Sequence, residues 1–110
     1  MQHKIYTMNF FQNSFGGGQT ANLKNIIEQG AFLVDVRELG EFSGGSAKGA
    51  INIPLGSVTS QIAKFKGKEN IIVFCRSGNR SGQAKVILEQ NGFKNVVNGG
   101  TWEEVNQCVK

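Results

Sequence analysis

A chain of 110 residues, of which 18% are charged and whose net charge is +4, has the size and composition of one ordinary globular domain. The mild positive charge does not form a basic stripe with aromatic support, so we expect no nucleic-acid partner. The sequence contains no apolar run long enough to span a bilayer and no signal-peptide pattern. We therefore expect no stable membrane insertion, and a cytoplasmic location.

The first segment, residues 1–19, is predicted to be an N-terminal extension. Its apolar residues recur roughly at helical spacing, as Ile5, Met8, Phe11 and Phe15 show, and a glycine run follows them. One interpretation is an amphipathic helix that contacts a membrane or a partner. Because the polar face carries little positive charge for lipid headgroups, we favour a mobile or core-covering extension.

Residues 20–110 are predicted to form a single domain in which helices and strands alternate. Thr20 is a good N-cap for a first helix, which ends at Gly30. The next predicted elements are a buried strand, a short helical turn and a short strand, over residues 31–36, 37–42 and 51–54.

The second half of the chain continues this alternation. Ser57 is placed to cap a second helix that holds Val58, Ile62 and Phe65. The remaining predicted elements are a central strand, a helix, a short strand and a terminal helix, over residues 71–75, 83–90, 96–97 and 102–109, with Gly92 ending the middle helix and Trp102 docked on the core. Such alternation predicts an α/β fold with a mostly parallel sheet and helices on both faces.

Cys75 is the candidate nucleophile. It ends the central strand and is followed by a short polar loop and a helix, whose first N–H groups favour an anion. With arginines nearby, its pKa is expected to be lowered. The other cysteine, Cys108, is expected at the surface or in a frayed end, and a resolving role for it is less favoured. The two cysteines do not have metal-ligand spacing and the only histidine is His3, so we predict no metal and no cofactor.

Over roughly residues 20–105 the chain resembles the single-domain rhodanese family of thiosulfate sulfurtransferases. The similarity rests on ordered motifs: Asp35-Val36-Arg37-Glu38 with Glu41-Phe42, Gly49 to Pro54, Cys75 to Ser81, and Gly99-Gly100 with Trp102. Ser81-Gly82-Gln83-Ala84-Lys85 is similar to the small phage-shock-protein E type. Two features depart from the family pattern. Gly45-Ser46-Ala47 stands where the family commonly has Gly-His-Ile, and Trp102 follows the glycine pair unusually closely.

The resemblance implies a rhodanese-like fold and a double displacement. Cys75 would take the outer sulfur of thiosulfate or a similar anionic donor as a persulfide, and cyanide, a thiol or a protein acceptor would remove it. The residues expected to bind the donor and the persulfide are Arg76, Ser77, Gly78, Asn79, Arg80 and Ser81. Asp35 and Arg37 are expected to orient the loop or to pair locally, with Arg37 a weaker candidate for donor binding.

Two alternatives stay open from the sequence. One is a persulfide carrier or interaction module that serves a protein partner. The other is a cysteine phosphatase or arsenate reductase, but those families resemble Cys-x5-Arg, whereas this chain has four residues between Cys75 and Arg80. A shorter loop suits one sulfur atom better than a tetrahedral oxyanion, so sulfur transfer is the favoured prediction.

Overall fold

Helices and strands alternate along the chain, as the sequence predicts. The computed structural model describes the backbone of residues 17–109 and the side chains of residues 22–109. The elements are α1 (Gly17–Glu28), β1 (Phe32–Asp35), α2 (Leu39–Ser43), β2 (Ile51–Asn52), two 3-10 helices (Leu55–Ser57 and Ile62–Phe65), β3 (Ile71–Cys75), α3 (Asn79–Gln90), β4 (Val96–Thr101) and α4 (Trp102–Val109).

A four-stranded sheet in the order β2-β1-β3-β4 forms the centre of the described domain. Every pair of neighbouring strands is parallel, which confirms the predicted α/β class. All five residues of β3 are buried, because a central parallel strand is covered on both faces. The carboxyl ends of β1 and β3 lie side by side, with Asp35 paired to Phe74, so the residues after both strands meet at one edge.

The sheet separates two apolar clusters. Alternate residues of β3 point to opposite faces: Val73 and Cys75 pack with α3 and the 3-10 helices, whereas Ile72 and Phe74 pack with α1 and α4. Helices therefore cover both faces, as predicted. This division also places Cys75 on the face of the sheet that α3 covers.

Several predicted details differ from the structure. α3 begins at Asn79, four residues before its predicted start at residue 83. α1 begins at Gly17, so Thr20 lies within the helix and not at its N-cap; packing of its apolar face outweighs the weak helix propensity of glycine. Ser57 caps no α-helix, because the chain here forms two short 3-10 helices that still bury Val58 and Phe65. β4 continues to Thr101, well beyond the predicted residues 96–97.

The expectation for Cys108 was wrong. Its side chain is only 6% exposed and packs in the cluster formed by α1, α4 and the sheet. α4 is docked along its length through Val105 and Cys108, so nearness to the end of the chain did not imply fraying. Because Cys75 packs on the opposite face of the sheet, an intramolecular resolving role for Cys108 is not supported.

Two expectations concern the ends of the chain and the membrane. Of the predicted N-terminal extension, residues 1–19, the structure describes only the backbone of residues 17–19, which lie in α1. The residues of the predicted amphipathic pattern, Ile5, Met8, Phe11 and Phe15, lie outside the described residues. Over residues 17–109, no helix combines the length and the apolar character that a bilayer crossing requires.

Candidate active site

The loop between β3 and α3 surrounds the sulfur of Cys75. The strand ends at Cys75, and α3 begins at Asn79, so only three residues lie between them. Gly78 occupies the N-cap position with φ of 97°, a left-handed conformation that glycine adopts readily. This turn reverses the chain and points the first N–H groups of α3 back towards the end of β3.

The Cys75 sulfur is fully buried and accepts hydrogen bonds from this loop. The backbone N–H groups of Gly78 and Ser81 lie 3.1 and 3.4 Å from Sγ, and the Ser81 hydroxyl oxygen lies 3.4 Å away. Burial raises the pKa of the thiol, but hydrogen bonds from Ser81, Ser77 and Gly78 outweigh it and bring the pKa below its ordinary value. The site therefore favours an anionic sulfur.

A bulge in β4 brings a further polar side chain to the loop. Val73 pairs with Asn98 and Phe74 with Gly100, so Gly99 is the extra residue. A side chain at Gly99 would come within 3 Å of Val105 and Ile72, since its Cβ would lie 2.8 and 2.9 Å from their methyl groups. Beside this bulge, Asn98 receives a hydrogen bond from the Ser81 hydroxyl and donates one to the Gly78 carbonyl.

Arg80 is engaged by a carboxylate from α2. Its two terminal nitrogens donate to Glu41 Oε1 and Oε2 at 2.7 and 3.1 Å, which is a bidentate pair. Glu41 also accepts a hydrogen bond from the Glu38 N–H in a capping box, which fixes its orientation. The pair ties the start of α3 to α2, so Arg80 does not present an uncompensated charge to a donor.

Asp35 and Arg37 pair locally at the end of β1. The Arg37 guanidinium donates to both carboxylate oxygens, with a shortest distance of 2.7 Å, and both side chains are buried. Arg37 also donates to the Gly45 carbonyl at 2.6 Å and lies over the Trp102 ring, 5.2 Å from its centroid. Ser46, which departs from the family pattern, donates to Asp35. These contacts confirm that Arg37 pairs locally with Asp35, and donor binding by Arg37 stays a prediction.

The other predicted loop residues are at the surface. Arg76, Ser77 and Asn79 are exposed, and Asn79 Oδ1 accepts a weak hydrogen bond from Gln83 within α3. Among the ion pairs formed by the described residues, none involves Arg76. Arg76 is therefore the cation of the loop that is best placed to attract an anion from solution.

Sequence reasoning assigned no role to two residues of this site, Glu41 and Asn98. Glu41 belongs to a motif quoted for the resemblance, but its partner Arg80 is 39 positions away. Asn98 follows the predicted strand 96–97 and precedes a glycine pair, and that position was the one available signal. Neither contact is local in sequence.

The pairing with Arg80 makes a prediction about Glu41. The hydrogen bonds from Arg80 and Glu38 lower the pKa of Glu41 to about 2. Stabilisation by the pair is then complete above the ordinary pKa of glutamate and is lost as the pH falls towards 2. We expect a carbon-detected NMR titration of the Glu41 carboxylate to show a midpoint near 2 and, in Arg80→Gln, a return towards the ordinary range. A midpoint near 4.5 in the unmodified protein would contradict the pairing.

Comparison with known proteins assigns the chain to a family. A family model described as the rhodanese-like domain matches residues 19–105. The chain belongs to the rhodanese family. This match confirms the family predicted from the motifs. The predicted similarity to the phage-shock-protein E type is confirmed as well, because one of the relatives is named PspE.

Three similar proteins show how far the similarity extends. Thiosulfate sulfurtransferase PspE from Escherichia coli is 38% identical over 74 residues, which are 66% of this chain and 71% of PspE. The putative sulfur carrier protein YrkF from Bacillus subtilis is 35% identical over 60% of this chain, but the match spans only 36% of YrkF. A rhodanese-related protein from Thermoplasma volcanium superposes with a TM-score of 0.67 and 31% identity over 80% of this chain and 88% of its own.

Proposed function

We propose that the protein is a sulfurtransferase that carries a sulfane sulfur as a persulfide on Cys75. The observation that supports this best is the set of hydrogen bonds from Gly78 and Ser81 to the Cys75 sulfur. Donors fixed around a buried sulfur stabilise a thiolate before reaction and an anionic persulfide after it. The name of PspE supports thiosulfate as the donor.

The proposed reaction has two displacement steps. In the first step the Cys75 thiolate attacks the outer sulfur of thiosulfate, a sulfur–sulfur bond forms, and sulfite leaves with the electron pair of the broken bond. In the second step cyanide or a thiolate attacks the terminal sulfur of the persulfide, and the cysteine sulfur leaves as the thiolate. No proton or external reductant is needed when the acceptor is cyanide.

The loop residues have distinct proposed roles in these steps. Gly78 and Ser81 hold the sulfur anion through their N–H groups, and Ser77 contributes a third N–H. Exposed Arg76 attracts the doubly charged donor. The Arg80–Glu41 pair fixes the start of α3, and donor binding by Arg80 itself stays a prediction.

The persulfide is the intermediate to test. Reduced protein is incubated with thiosulfate, desalted and digested, and the peptides that contain Cys75 and Cys108 are weighed. We expect one added sulfur atom on the Cys75 peptide, removed by cyanide as thiocyanate, with the Cys108 peptide as the internal control. Absence of added sulfur, or equal addition to both peptides, would refute the proposal.

A second candidate function is a persulfide carrier for a protein partner. It is supported by the name of YrkF and by Leu39, whose side chain is 64% exposed on α2, the helix that holds Arg80 through Glu41. A carrier would load sulfur on Cys75 but release it slowly to cyanide.

If Cys75 takes no sulfur, hydrolysis of an aryl phosphate is the assay for the phosphatase alternative. The cytoplasmic location stays a prediction.

A further inference from the structure

Three hydrogen bonds join the side-chain amide of Asn98 to the residues around the cysteine loop. Oδ1 accepts from the Ser81 hydroxyl at 2.7 Å and from the Gly100 N–H at 3.0 Å, and Nδ2 donates to the Gly78 carbonyl at 3.1 Å. A backbone N–H can only donate and a carbonyl can only accept, so these partners determine which end of the amide is the oxygen. Asn98 therefore presents an acceptor to Ser81.

The Ser81 hydroxyl lies between two atoms that compete for its hydrogen. Its oxygen is 2.7 Å from Asn98 Oδ1 and 3.4 Å from Cys75 Sγ. One hydroxyl has one hydrogen, and at these distances the stronger bond goes to Asn98. The hydroxyl oxygen is then left to accept a hydrogen bond from Cys75, and only a protonated thiol can donate one.

An anionic sulfur requires the opposite arrangement. A thiolate or a persulfide carries no hydrogen at Cys75, so the Ser81 hydroxyl stabilises it only by donating to it. Rotation of that hydroxyl towards sulfur leaves no buried group without a partner, because Asn98 Oδ1 keeps its bond from Gly100. Since Ser81 is fully buried, its hydroxyl depends on these protein partners.

We propose that Asn98 is a positioning residue that holds the Ser81 hydroxyl hydrogen while Cys75 is a thiol and gives it up to the sulfur when Cys75 becomes an anion. This inference rests on the proposed function of Cys75 and adds a residue from β4 to it. The bulge at Gly99 gives this role a structural basis, because bulges re-aim side chains next to functional sites. Asn98 acts through Ser81, and its effect on sulfur depends on the serine hydroxyl.

The test is a double-mutant cycle on Cys75 ionisation. The folded protein is treated with iodoacetamide at a series of pH values, and the alkylation rate of Cys75 is read from the mass of its peptide after digestion. The four proteins compared are the unmodified protein, Asn98→Leu, Ser81→Ala and the double variant. Leucine matches the shape of asparagine without accepting a hydrogen bond, and Gly78 keeps a bond to its carbonyl from the Gly82 N–H. Asn98→Ala provides a second variant if leucine perturbs folding, as judged by circular dichroism and thermal unfolding.

We expect Asn98→Leu to lower the midpoint of alkylation by roughly half to one pH unit, the size of one neutral hydrogen bond, because the hydroxyl no longer has a competing acceptor. In the Ser81→Ala background the same substitution is expected to have no effect. An unchanged or raised midpoint would overturn the proposal, as would an equal shift in both backgrounds. A rise would indicate that Asn98 acts by holding the loop rigid.

The charged groups around the loop are the same in all four proteins, so they cannot produce a difference that depends on Ser81. The positively charged groups are Arg76 on the loop and Arg80 on α3. The negatively charged groups are Glu38 just before α2, Glu41 on α2, and Glu104 on α4, whose carboxylate lies near Gly100. Sulfur loading is recorded on the same samples. If the unmodified protein takes up no sulfur, the proposed function fails, whereas the alkylation cycle still decides the role of Asn98.

Discussion

Serine in place of Cys75 is expected to reduce thiosulfate–cyanide sulfur transfer by at least about a thousandfold, to the rate without protein. The hydroxyl of serine ionises far above neutral pH, and the few N–H groups of the loop cannot make up the difference. An alkoxide, moreover, forms no persulfide. Thiocyanate production, followed with thiosulfate and cyanide in excess, is the measurement.

The fold is expected to survive this substitution, so the loss would be one of chemistry. A serine oxygen at position 75 can still accept hydrogen bonds from Gly78 and Ser81, and we expect the free energy of unfolding to change by no more than about 1–2 kcal/mol. Cys108→Ala, on the opposite face of the sheet, is the matched control and should keep sulfur transfer. Transfer that persists in Cys75→Ser, or disappears in Cys108→Ala, would assign the reaction elsewhere.

The cysteine loop could be predicted from the sequence because its determinants are local. A buried strand that ends at Cys75, a glycine that tolerates a left-handed turn, and the helix after the loop all lie within residues 71–90. The direction of the first N–H groups then follows from helix geometry alone. The parallel sheet could also be predicted, because strands alternate with helices along the chain.

The contacts that complete the site could not be predicted from the sequence. The pairing of Arg80 with Glu41 joins residues 39 positions apart, so it depends on where tertiary packing places α2 relative to the start of α3. Asn98 reaches the loop through a bulge whose position is set by the close approach of Gly99 to Ile72 and Val105. Asparagine and glycine are poor strand formers, so propensity ended the predicted strand before the bulge.

Methionine in place of Arg37 is expected to have the largest effect on stability, lowering the free energy of unfolding by about 3–5 kcal/mol. The substitution leaves the Asp35 carboxylate buried, with its side chain fully inaccessible, and without its guanidinium partner. Asp35 still accepts hydrogen bonds from the Ser46 hydroxyl and from the backbone N–H of residue 37, but both donors are neutral and do not balance its charge. Urea or guanidinium unfolding, followed by circular dichroism, is the measurement.

Two further variants separate charge from geometry at this pair. Arg37→Lys keeps the positive charge but cannot reproduce two parallel hydrogen bonds to Asp35, so we expect a smaller loss than for methionine. Asp35→Leu combined with Arg37→Met removes both charges and should recover part of the loss. Exposed Lys66 is the surface control, and Lys66→Met is expected to stay within about 0.5 kcal/mol. A loss in Arg37→Met no larger than this control would show that the buried carboxylate is stabilised without the guanidinium. The order Lys above Met, with the double variant recovering stability, would show that an unpaired charge is what the fold cannot accommodate.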